Sequence, residues 1–468
     1  MKKTNETKIA LVNPPLPKRL HHPLYPPIGL AYLAAVLEQD GHEIKIIDCP
    51  VCGVDHEKLK AELASFAPML IGITSMTPTI LSAFQSARVA KEACPDSTVV
   101  LGGPHATFMS KQILSQEAAV DIVVRGEGEK TILELAQHSP NLDSLHKIKG
   151  ITFKNHDGQI TQTPNRPFIQ NLDELPLPAY KYVPLERYRI FGRTHLQVTT
   201  SRGCPYQCSF CISSQMFGAK FRARSPKNVV DELEWLRDVH GANGISFCDD
   251  TLTLDRQRIL EICEEIKNRK IGLPWGCLTR VDRVSKEVLA KMREAKCQLI
   301  HFGVESGSQK ILDAVKKGTT VGQNEKAIKL TKEEGLFVAV SVIVGYPGET
   351  KDTVEKTMDF IRKTEPDDVW LAIATPYPGT ELRTLVESRG WKMSEDWSLY
   401  DIAHPVFENP ILPSEEISKI RETFYNGFYS PLYVFRQTVK GYLKGNFYSQ
   451  IMARIALNYM MWRFKSIF

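Results

Sequence analysis

The chain has 468 residues, a length that exceeds one compact core and predicts two or three domains. Hydrophobic residues make up 43% and charged residues 24%, which is ordinary for a soluble globular protein and unlike a disordered chain. The formal charge of +5, from 59 basic and 54 acidic residues, matters only where basic residues concentrate locally.

The start of the chain argues against export. Residues 1–15 contain no long apolar run before the sequence becomes polar and proline-rich, so we expect no secretory signal and a cytoplasmic protein. No stretch of about 18 or more apolar residues occurs, so no segment is predicted to cross a bilayer.

The first 140 residues alternate short apolar strands with helices. Strands are predicted at 8–13, 43–47, 70–75, 98–101 and 122–124, with helices such as 29–39 and 80–94 between them. Continuous apolar strands separated by helices indicate a parallel sheet covered on both faces. The prediction for 1–140 is a doubly wound, Rossmann-like domain whose ligand lies beyond the C-terminal strand ends.

The rest of the chain divides into three parts. Residues 141–190 are rich in proline and polar residues and are predicted to form an extended connector. Over 191–390 strands are predicted at 196–200, 244–247, 276–279, 300–305, 337–344 and 369–374, with helices between them. This alternation predicts a full or partial β/α barrel. Residues 391–468 are helical, aromatic and increasingly basic, and are treated as a third region.

Three of the ten cysteines, Cys204, Cys208 and Cys211, lie within eight positions, directly after the first predicted barrel strand. Without an export signal such a cluster favours metal ligation over disulfides. Three thiolates can hold three corners of an iron–sulfur cubane and leave the fourth iron open. Zinc is the alternative, but a structural zinc usually takes four ligands, and no fourth cysteine or histidine lies nearby.

The C-x3-C-x2-C spacing, with the aromatic Phe210 before the last cysteine, resembles the radical S-adenosylmethionine (SAM) superfamily. The resemblance implies a [4Fe–4S] cluster on the three cysteines at the mouth of a partial β/α barrel. It also implies reductive cleavage of SAM to a 5′-deoxyadenosyl radical that abstracts hydrogen from a substrate. The electron would come from a donor such as flavodoxin or ferredoxin.

The same resemblance implies SAM contacts at successive strand ends. They are Phe210, Asp249, Asp250, Arg280, Glu305, Ser306, Gly345 and Pro347. Arg280 can pair with the SAM carboxylate through its planar fork, and Glu305 and Ser306 can hydrogen-bond ribose hydroxyls. Taken singly, the two aspartates could equally be helix caps, and the GYPGE segment at 345–349 a plain turn.

The first domain is similar to the cobalamin-binding domain fused to many radical SAM enzymes. The matching segments include NPP at 13–15, YPPIGL at 25–30, LGGPH at 101–105 and RGEGE at 125–129. The similarity implies corrin contacts at Asn13, Thr74, Ser75, Gly102, Gly103, His105 and Glu127. In this family the Gly-Gly loop lines the pocket of the nucleotide tail, where the missing Cβ lets the backbone approach closely.

The Asp-x-His-x-x-Gly signature, which supplies a lower cobalt ligand in many cobalamin enzymes, is missing after the first strand. The candidate replacements are His21, His22, His42 and His105, although a lone loop histidine is more often solvated. Cobalamin could therefore bind without a histidine ligand, or the domain could be a scaffold that holds no corrin.

From 431 to 468 the sequence has no acidic residue and six basic residues among many apolar and aromatic ones. Such a segment is typical of attachment to an anionic membrane surface, so we expect peripheral membrane contact through 431–468. A terminal helix packed on the barrel is the alternative. Nucleic acid is not expected, because the tail is too apolar and no recognition motif accompanies it.

Domain order over 8–435 most resembles the branch that contains anaerobic magnesium-protoporphyrin monomethyl ester cyclases and hopanoid-associated radical enzymes. The leading hypothesis is an enzyme that functionalises an unactivated carbon of a hydrophobic, lipid- or tetrapyrrole-like substrate by cobalamin-dependent methyl transfer. Radical C–C bond formation or cyclisation without cobalamin is the second option. A non-catalytic corrinoid- or metal-binding module is the third. A radical methylthiotransferase acting on RNA would carry further cysteines and a basic RNA-binding domain, and neither is evident.

Overall fold

The computed structural model describes residues 7–17, 25–138, 142–155, 157–190 and 192–444, together with Gln450, Ala453, Arg454 and Leu457. The strands are β1 (Lys8–Asn13), β2 (Glu43–Asp48), β3 (Leu70–Thr74), β4 (Thr98–Gly102), β5 (Ile122–Val124), β6 (Ile151–Lys154), β7 (Ile160–Gln162), β8 (Arg189–Ile190), β9 (Arg193–Val198), β10 (Ser201–Arg202), β11 (Arg222–Ala223), β12 (Gly244–Phe247), β13 (Trp275–Thr279), β14 (Cys297–Glu305), β15 (Phe337–Val344) and β16 (Asp368–Ile373).

The α-helices are α1 (Ile28–Gln39), α2 (Cys49–Cys52), α3 (His56–Phe66), α4 (Ile80–Ala93), α5 (Pro104–Gln116), α6 (Glu129–His138), α7 (Leu142–Leu145), α8 (Ser213–Met216), α9 (Pro226–Asp238), α10 (Arg256–Asn268), α11 (Lys286–Glu294), α12 (Gln309–Ala314), α13 (Val321–Glu333), α14 (Lys351–Thr364), α15 (Glu381–Ser388), α16 (Ser414–Phe428) and α17 (Pro431–Lys444).

The N-terminal sheet has the order β2-β1-β3-β4-β5-β6-β7, and its first five strands are parallel. Alternate residues of β1 enter two separate apolar cores, Ile9 and Leu11 on one face and Ala10 and Val12 on the other. A strand buried on both faces must be apolar throughout, which is why these strands read as continuous apolar runs. The order confirms the predicted doubly wound fold, with its switch point between β1 and β3.

The stretch 141–190, predicted as an extended connector, adds two strands to this sheet. β6 pairs antiparallel with β5, and β7 pairs antiparallel with β6. Strands of four and three residues are too short to give a periodicity signal, so the sequence did not reveal them. The remainder wraps back over the first domain, where Ala179 N donates to Ala31 O at 2.9 Å.

The second large sheet has the order β16-β15-β14-β13-β12-β9-β8. The six strands from β9 to β16 in this sheet pair in parallel, and β8 adds an antiparallel edge. On β14, Phe302 and Val304 enter the apolar core under the helices, while His301, Gly303 and Glu305 face a cavity on the concave side. The sheet has two free edges, which confirms the predicted partial β/α barrel.

The C-terminal region packs on both preceding domains. On α16, the Tyr425 hydroxyl accepts from Leu371 N of β16 at 3.0 Å, and the Tyr429 hydroxyl donates to Asp368 at 2.6 Å. The Trp397 ring lies 5.0 Å from the His105 ring of the first domain. None of the helices in the described part of the chain combines the length and the apolarity needed to cross a bilayer.

Candidate functional site

The cysteine loop follows β10, and hydrogen bonds connect it to the barrel. Gly203 has a φ of +89°, and a Cβ there would lie 2.3 Å from Lys220 O, so only glycine fits immediately before Cys204. Ser209 N donates to Val315 O at 3.0 Å, and the Ser209 and Tyr346 hydroxyls are 2.7 Å apart. These contacts fix the loop that carries the three thiols.

Cys204, Cys208 and Cys211 line one cavity of about 330 Å³. Burial raises the pKa of all three thiols, that of Cys211 to about 12. Such thiols become thiolates only beside a strong positive charge, which bound iron would supply. Among the described residues no group of three or more His, Cys, Asp or Glu side chains is arranged to hold a single metal ion. In a cubane each thiolate binds a different iron, so the three cluster ligands need not converge on one point.

Arg280 lines the same cavity, and three contacts hold its guanidinium in place. It stacks on the ring of Tyr206 at 3.5 Å, its Nε donates to Asp282 at 2.9 Å, and its Nη2 donates to Lys317 O at 2.9 Å. Its Nη1 is buried and has no hydrogen-bond partner among the residues that the structure describes. A fixed fork with one unused donor fits the carboxylate of an amino acid such as the methionyl part of SAM.

Glu305 forms a buried ion pair with Lys317, whose Nζ lies 2.7 Å from the Glu305 carboxylate. Gly303 makes room for the pair, since a Cβ there would lie 2.4 Å from Glu305 Oε1. Glu305 itself has a φ of +63°, at a register shift between β14 and β15. A non-glycine residue in this conformation is strained, which is common where a side chain must be aimed at a site.

The two predicted aspartates have different surroundings. Asp250 lines the cavity and accepts a hydrogen bond from the Ser213 hydroxyl. Asp249 is not among the lining residues; it accepts from Thr200 N at 3.2 Å and from the Thr200 hydroxyl at 2.8 Å. Burial raises the pKa of both carboxyls. Asp249 therefore supports the strand end that leads into the cysteine loop, and Asp250 is the one that a ligand could touch.

Only some of the other residues predicted to contact SAM line the cavity. Phe210, Arg280 and Glu305 line the cavity, whereas Ser306, Gly345 and Pro347 do not. The Ser306 hydroxyl lies 3.0 Å from that of Thr357 and is fully buried on the helix side. Gly345 N donates to the buried carboxylate of Glu349 at 2.6 Å.

The lower wall of the cavity carries polar groups that no sequence motif indicated. His301 Nε2 lies 2.7 Å from the Ser341 hydroxyl, and both side chains line the cavity among Leu278, Ile343 and other apolar residues. Burial lowers the pKa of His301 to about 4, so its imidazole is neutral near pH 7. Mid-strand residues of this kind give only the alternating pattern of a half-buried strand, so sequence reasoning missed them.

A second cavity of about 330 Å³ lies above the C-terminal ends of β3, β4 and β5 and reaches the barrel. Six glycines contribute to its walls: Gly29, Gly72, Gly102, Gly103, Gly126 and Gly128. At Gly29, Gly102 and Gly126 an added Cβ would meet no protein atom within 4 Å. The backbone at these positions can therefore approach a large ligand, which fits the corrin site implied by the sequence.

The residues predicted to contact cobalamin fall into two groups. Thr74, Gly102, Gly103 and Glu127 line this second cavity, and Asn13, Ser75 and His105 do not. Asn13 donates to Asp48 at 2.8 Å, and the Ser75 hydroxyl donates to Gly102 O at 2.9 Å. These two contacts tie neighbouring strand ends together below the cavity.

Two of the four candidate histidine ligands, His42 and His105, lie among the described residues and bind elsewhere. His42 pairs with Asp40 at 3.1 Å, and His105 Nδ1 lies 3.2 Å from the Thr77 hydroxyl. Neither lines the cavity. Burial lowers the pKa of His105 to about 4, with a smaller effect from Arg383. His21 and His22 lie outside the described residues.

The two cavities lie next to each other at the junction of the domains, where Asp250 lines both. Beside this junction, Glu127 and Glu129 of the first domain pair with Arg202, immediately before the cysteine loop. Arg222 of β11 also pairs with Glu127 at 2.8 Å. A small molecule bound at the junction could contact groups from both cavities.

Two family profiles match successive parts of the chain. Residues 22–136 match the B12 binding domain family, and residues 198–361 match the Radical SAM superfamily.

Similar proteins align with most of the chain. An uncharacterized methyltransferase of Pyrococcus horikoshii is 37% identical over 425 residues, covering 90% of this chain and 92% of that protein. The anaerobic magnesium-protoporphyrin IX monomethyl ester cyclase of Cereibacter sphaeroides is 34% identical over 430 residues, covering 89% of this chain and 69% of the cyclase. The solved structure of the radical SAM methyltransferase TsrM from Kitasatospora setae, with cobalamin and a [4Fe–4S] cluster bound, aligns with a TM-score of 0.70 at 20% identity. That alignment covers 82% of this chain and 75% of TsrM.

Proposed function

Because the chain belongs to the radical SAM superfamily, in the branch that also carries a cobalamin-binding domain, we propose that it methylates an unactivated carbon of a hydrophobic substrate. The cofactors of this branch are a [4Fe–4S] cluster, SAM and cobalamin. When bound, they supply an electron, a 5′-deoxyadenosyl radical and a methyl carrier, respectively. The observation that carries the proposal is that two cavities share Asp250 as a wall, one lined by three cysteines and the other by a glycine-rich strand edge.

The chain's own residues would hold and orient the reactants. Cys204, Cys208 and Cys211 would hold the cluster. The unpaired Nη1 of Arg280 would bind the SAM carboxylate, and Asp250 would face whatever occupies the junction. Because the site is largely buried, these charged contacts are stronger than they would be in water.

The proposed substrate class rests on the lining of the first cavity. Leu278, Ile343 and Ala372 give it apolar walls, and the His301–Ser341 pair adds a neutral hydrogen-bonding group. An apolar substrate with one hydroxyl or carbonyl group fits these residues, because none of them carries a charge that could pair with a buried charged group. Lipid- and tetrapyrrole-like molecules belong to this class.

The test is anaerobic purification with cluster reconstitution, followed by assays for 5′-deoxyadenosine, S-adenosylhomocysteine and bound corrin. Formation of both products together with bound corrin supports methyl transfer. Cys208→Ala should abolish 5′-deoxyadenosine formation, whereas Cys52→Ala, which removes a partly buried cysteine far from the loop in sequence, should leave it unchanged. Equal activity in both variants would refute the proposed cluster.

Radical cyclisation is the second candidate, and the 34% identity with a cyclase favours it. It predicts 5′-deoxyadenosine without S-adenosylhomocysteine. The two products therefore separate the candidates in the same assay.

The electron donor is proposed to be flavodoxin or ferredoxin, since Pro205 and Gln207 of the cysteine loop are exposed and a docked protein could approach the cluster there.

Peripheral contact with a membrane is also proposed, through the region 431–468. On α17, Leu432, Phe435 and Leu443 are 60%, 65% and 82% exposed, at spacings that place them along one side of the helix. The region around them contains basic but no acidic residues. Apolar side chains beside basic ones suit an anionic bilayer surface. Sedimentation with anionic but not neutral vesicles, lost in Phe435→Glu and retained in Val239→Glu, would support this contact.

A further inference from the structure

The ion-pair network between the two domains contains four side chains, and all are largely buried. Glu127 lies on the turn between β5 and α6, and Glu129 is the first residue of α6. Arg202 ends β10, and Arg222 begins β11. Arg202 bridges the two carboxylates, with Nη1 3.2 Å from Glu127 and Nη2 2.5 Å from Glu129. The side chains are between 3% and 12% exposed. Removing one member would leave another charge buried without its partner.

Arg202 carries its charge at neutral pH, as arginine ordinarily does, and it pairs with both carboxylates. Arg202 is followed directly by Gly203, whose conformation admits no side chain, and then by Cys204. The position of this guanidinium therefore bears on the start of the cysteine loop.

The two glutamates differ in how many of their carboxylate oxygens have a hydrogen-bond partner. Both oxygens of Glu127 have partners, since Oε1 pairs with Arg222 and Arg202 and Oε2 accepts from Ile169 N at 2.7 Å. Glu129 binds Arg202 through Oε1 only. Its Oε2 is buried and has no hydrogen-bond partner among the described residues. A buried carboxylate oxygen without a donor is destabilising, so a donor supplied by a ligand would be favourable.

Glu129 also forms part of the wall of the glycine-rich cavity. The rim of a corrin carries primary amide groups, and an amide N–H is the donor that a carboxylate oxygen lacks. We propose that Glu129 couples the two cofactor sites, with one oxygen holding Arg202 at the cysteine loop and the other accepting from a corrin amide. The inference rests on the proposed function, because it requires that the cavity binds cobalamin.

Coupling of this kind must be reciprocal. If a corrin amide fixes Glu129, it also fixes Arg202, and an ordered cysteine loop in turn favours the corrin-binding position of Glu129. We expect cobalamin to bind the wild-type protein at least fivefold more tightly when the cluster is present than when it is absent.

The experiment is a hydroxocobalamin titration of the full chain under anaerobic conditions, with and without the reconstituted cluster, followed by absorbance. Glu129→Ala should weaken binding about tenfold or more, by loss of a hydrogen bond to a charged group, and should abolish the cluster dependence. Glu134→Ala is the matched control. It removes an ion-paired glutamate from the same helix, α6, and should bind like the wild type.

A second variant separates coupling from a general folding defect. Glu129→Gln keeps the side-chain shape and an acceptor oxygen but loses the charge that holds Arg202, so it should retain measurable cobalamin binding without cluster dependence. Iron content and circular dichroism identify a variant that has not folded. Wild-type affinity and wild-type cluster dependence in both variants would overturn the coupling. A wild-type protein that binds no cobalamin in either state would refute the proposed function, and with it this inference.

Discussion

Glu349 is a carboxylic acid that the fold keeps from ionising near neutral pH. It lies on the turn after β15, is fully buried, and accepts from Gly345 N at 2.6 Å through one oxygen. Its other oxygen has no partner in the described residues. Burial raises the pKa of Glu349 to about 8, against a smaller lowering by the backbone N–H groups of Gly345 and Tyr346.

The sign of the resulting pH dependence follows from proton binding. The unfolded carboxyl has a pKa of 4.5, so between pH 4.5 and about 8 the folded protein binds a proton that the unfolded chain has released. Its contribution to stability is complete below pH 4.5 and is lost as the pH rises through about 8. At about 1.4 kcal/mol per pKa unit, this group could lower the free energy of unfolding by at most about 5 kcal/mol.

Glu349→Gln removes this titration and keeps an acceptor for the Gly345 N–H. We expect the variant to match the wild type at pH 5, to exceed it by several kcal/mol at pH 8.5, and to show a flatter pH profile. Urea unfolding at pH 5, 7 and 8.5 measures the difference, with Glu381→Gln, an exposed glutamate paired with Lys316, as the control. A parallel loss of stability in Glu349→Gln and wild type as the pH rises would show that Glu349 is not the titrating group.

Three further substitutions test the site. Gly203→Ala should lower iron incorporation sharply, because the added Cβ would overlap the backbone of Lys220. Gly192 also has a positive φ, of +80°, but open space around it, so Gly192→Ala should lower stability by only about 1 kcal/mol and leave the iron content unchanged. Glu127→Gln should lower the free energy of unfolding by about 3–5 kcal/mol, because the buried guanidinium of Arg222 would lose its paired carboxylate. The exposed control Glu287→Gln should lower it by less than about 1 kcal/mol, and urea unfolding measures both. Arg280→Lys keeps the charge but loses the planar fork, so calorimetry should show SAM binding weakened about tenfold, and an unchanged affinity would contradict its role.

The fold was largely predictable because its strands are apolar on both faces and its helices periodic. The cysteine loop was predictable because all three ligands come from one short segment. It was harder to predict which of two neighbouring side chains at a strand end would line the cavity. Asp250 and Glu305 line the cavity whereas Asp249 and Ser306 do not. These residues lie at or beyond the ends of β12 and β14, where the alternation of a strand no longer sets the direction of a side chain.

Contacts between distant segments left no local signal in the sequence. Arg202 and Glu129 are 73 positions apart, and nothing in either segment indicates that they meet. Lys317 lies on a turn after α12, and only the folded barrel brings it to Glu305. Ion pairs of this kind depend on how whole elements pack, which a single sequence does not specify.

The most direct test is a measurement of iron, sulfide and 5′-deoxyadenosine on protein purified and reconstituted without oxygen. We expect about four iron and four sulfide per chain, charge-transfer absorption, and reductant-dependent formation of 5′-deoxyadenosine from SAM. Cys204→Ala, Cys208→Ala and Cys211→Ala should each abolish that product. Stoichiometric zinc with no sulfide, and no cleavage of SAM by the wild-type protein, would contradict the proposed cluster.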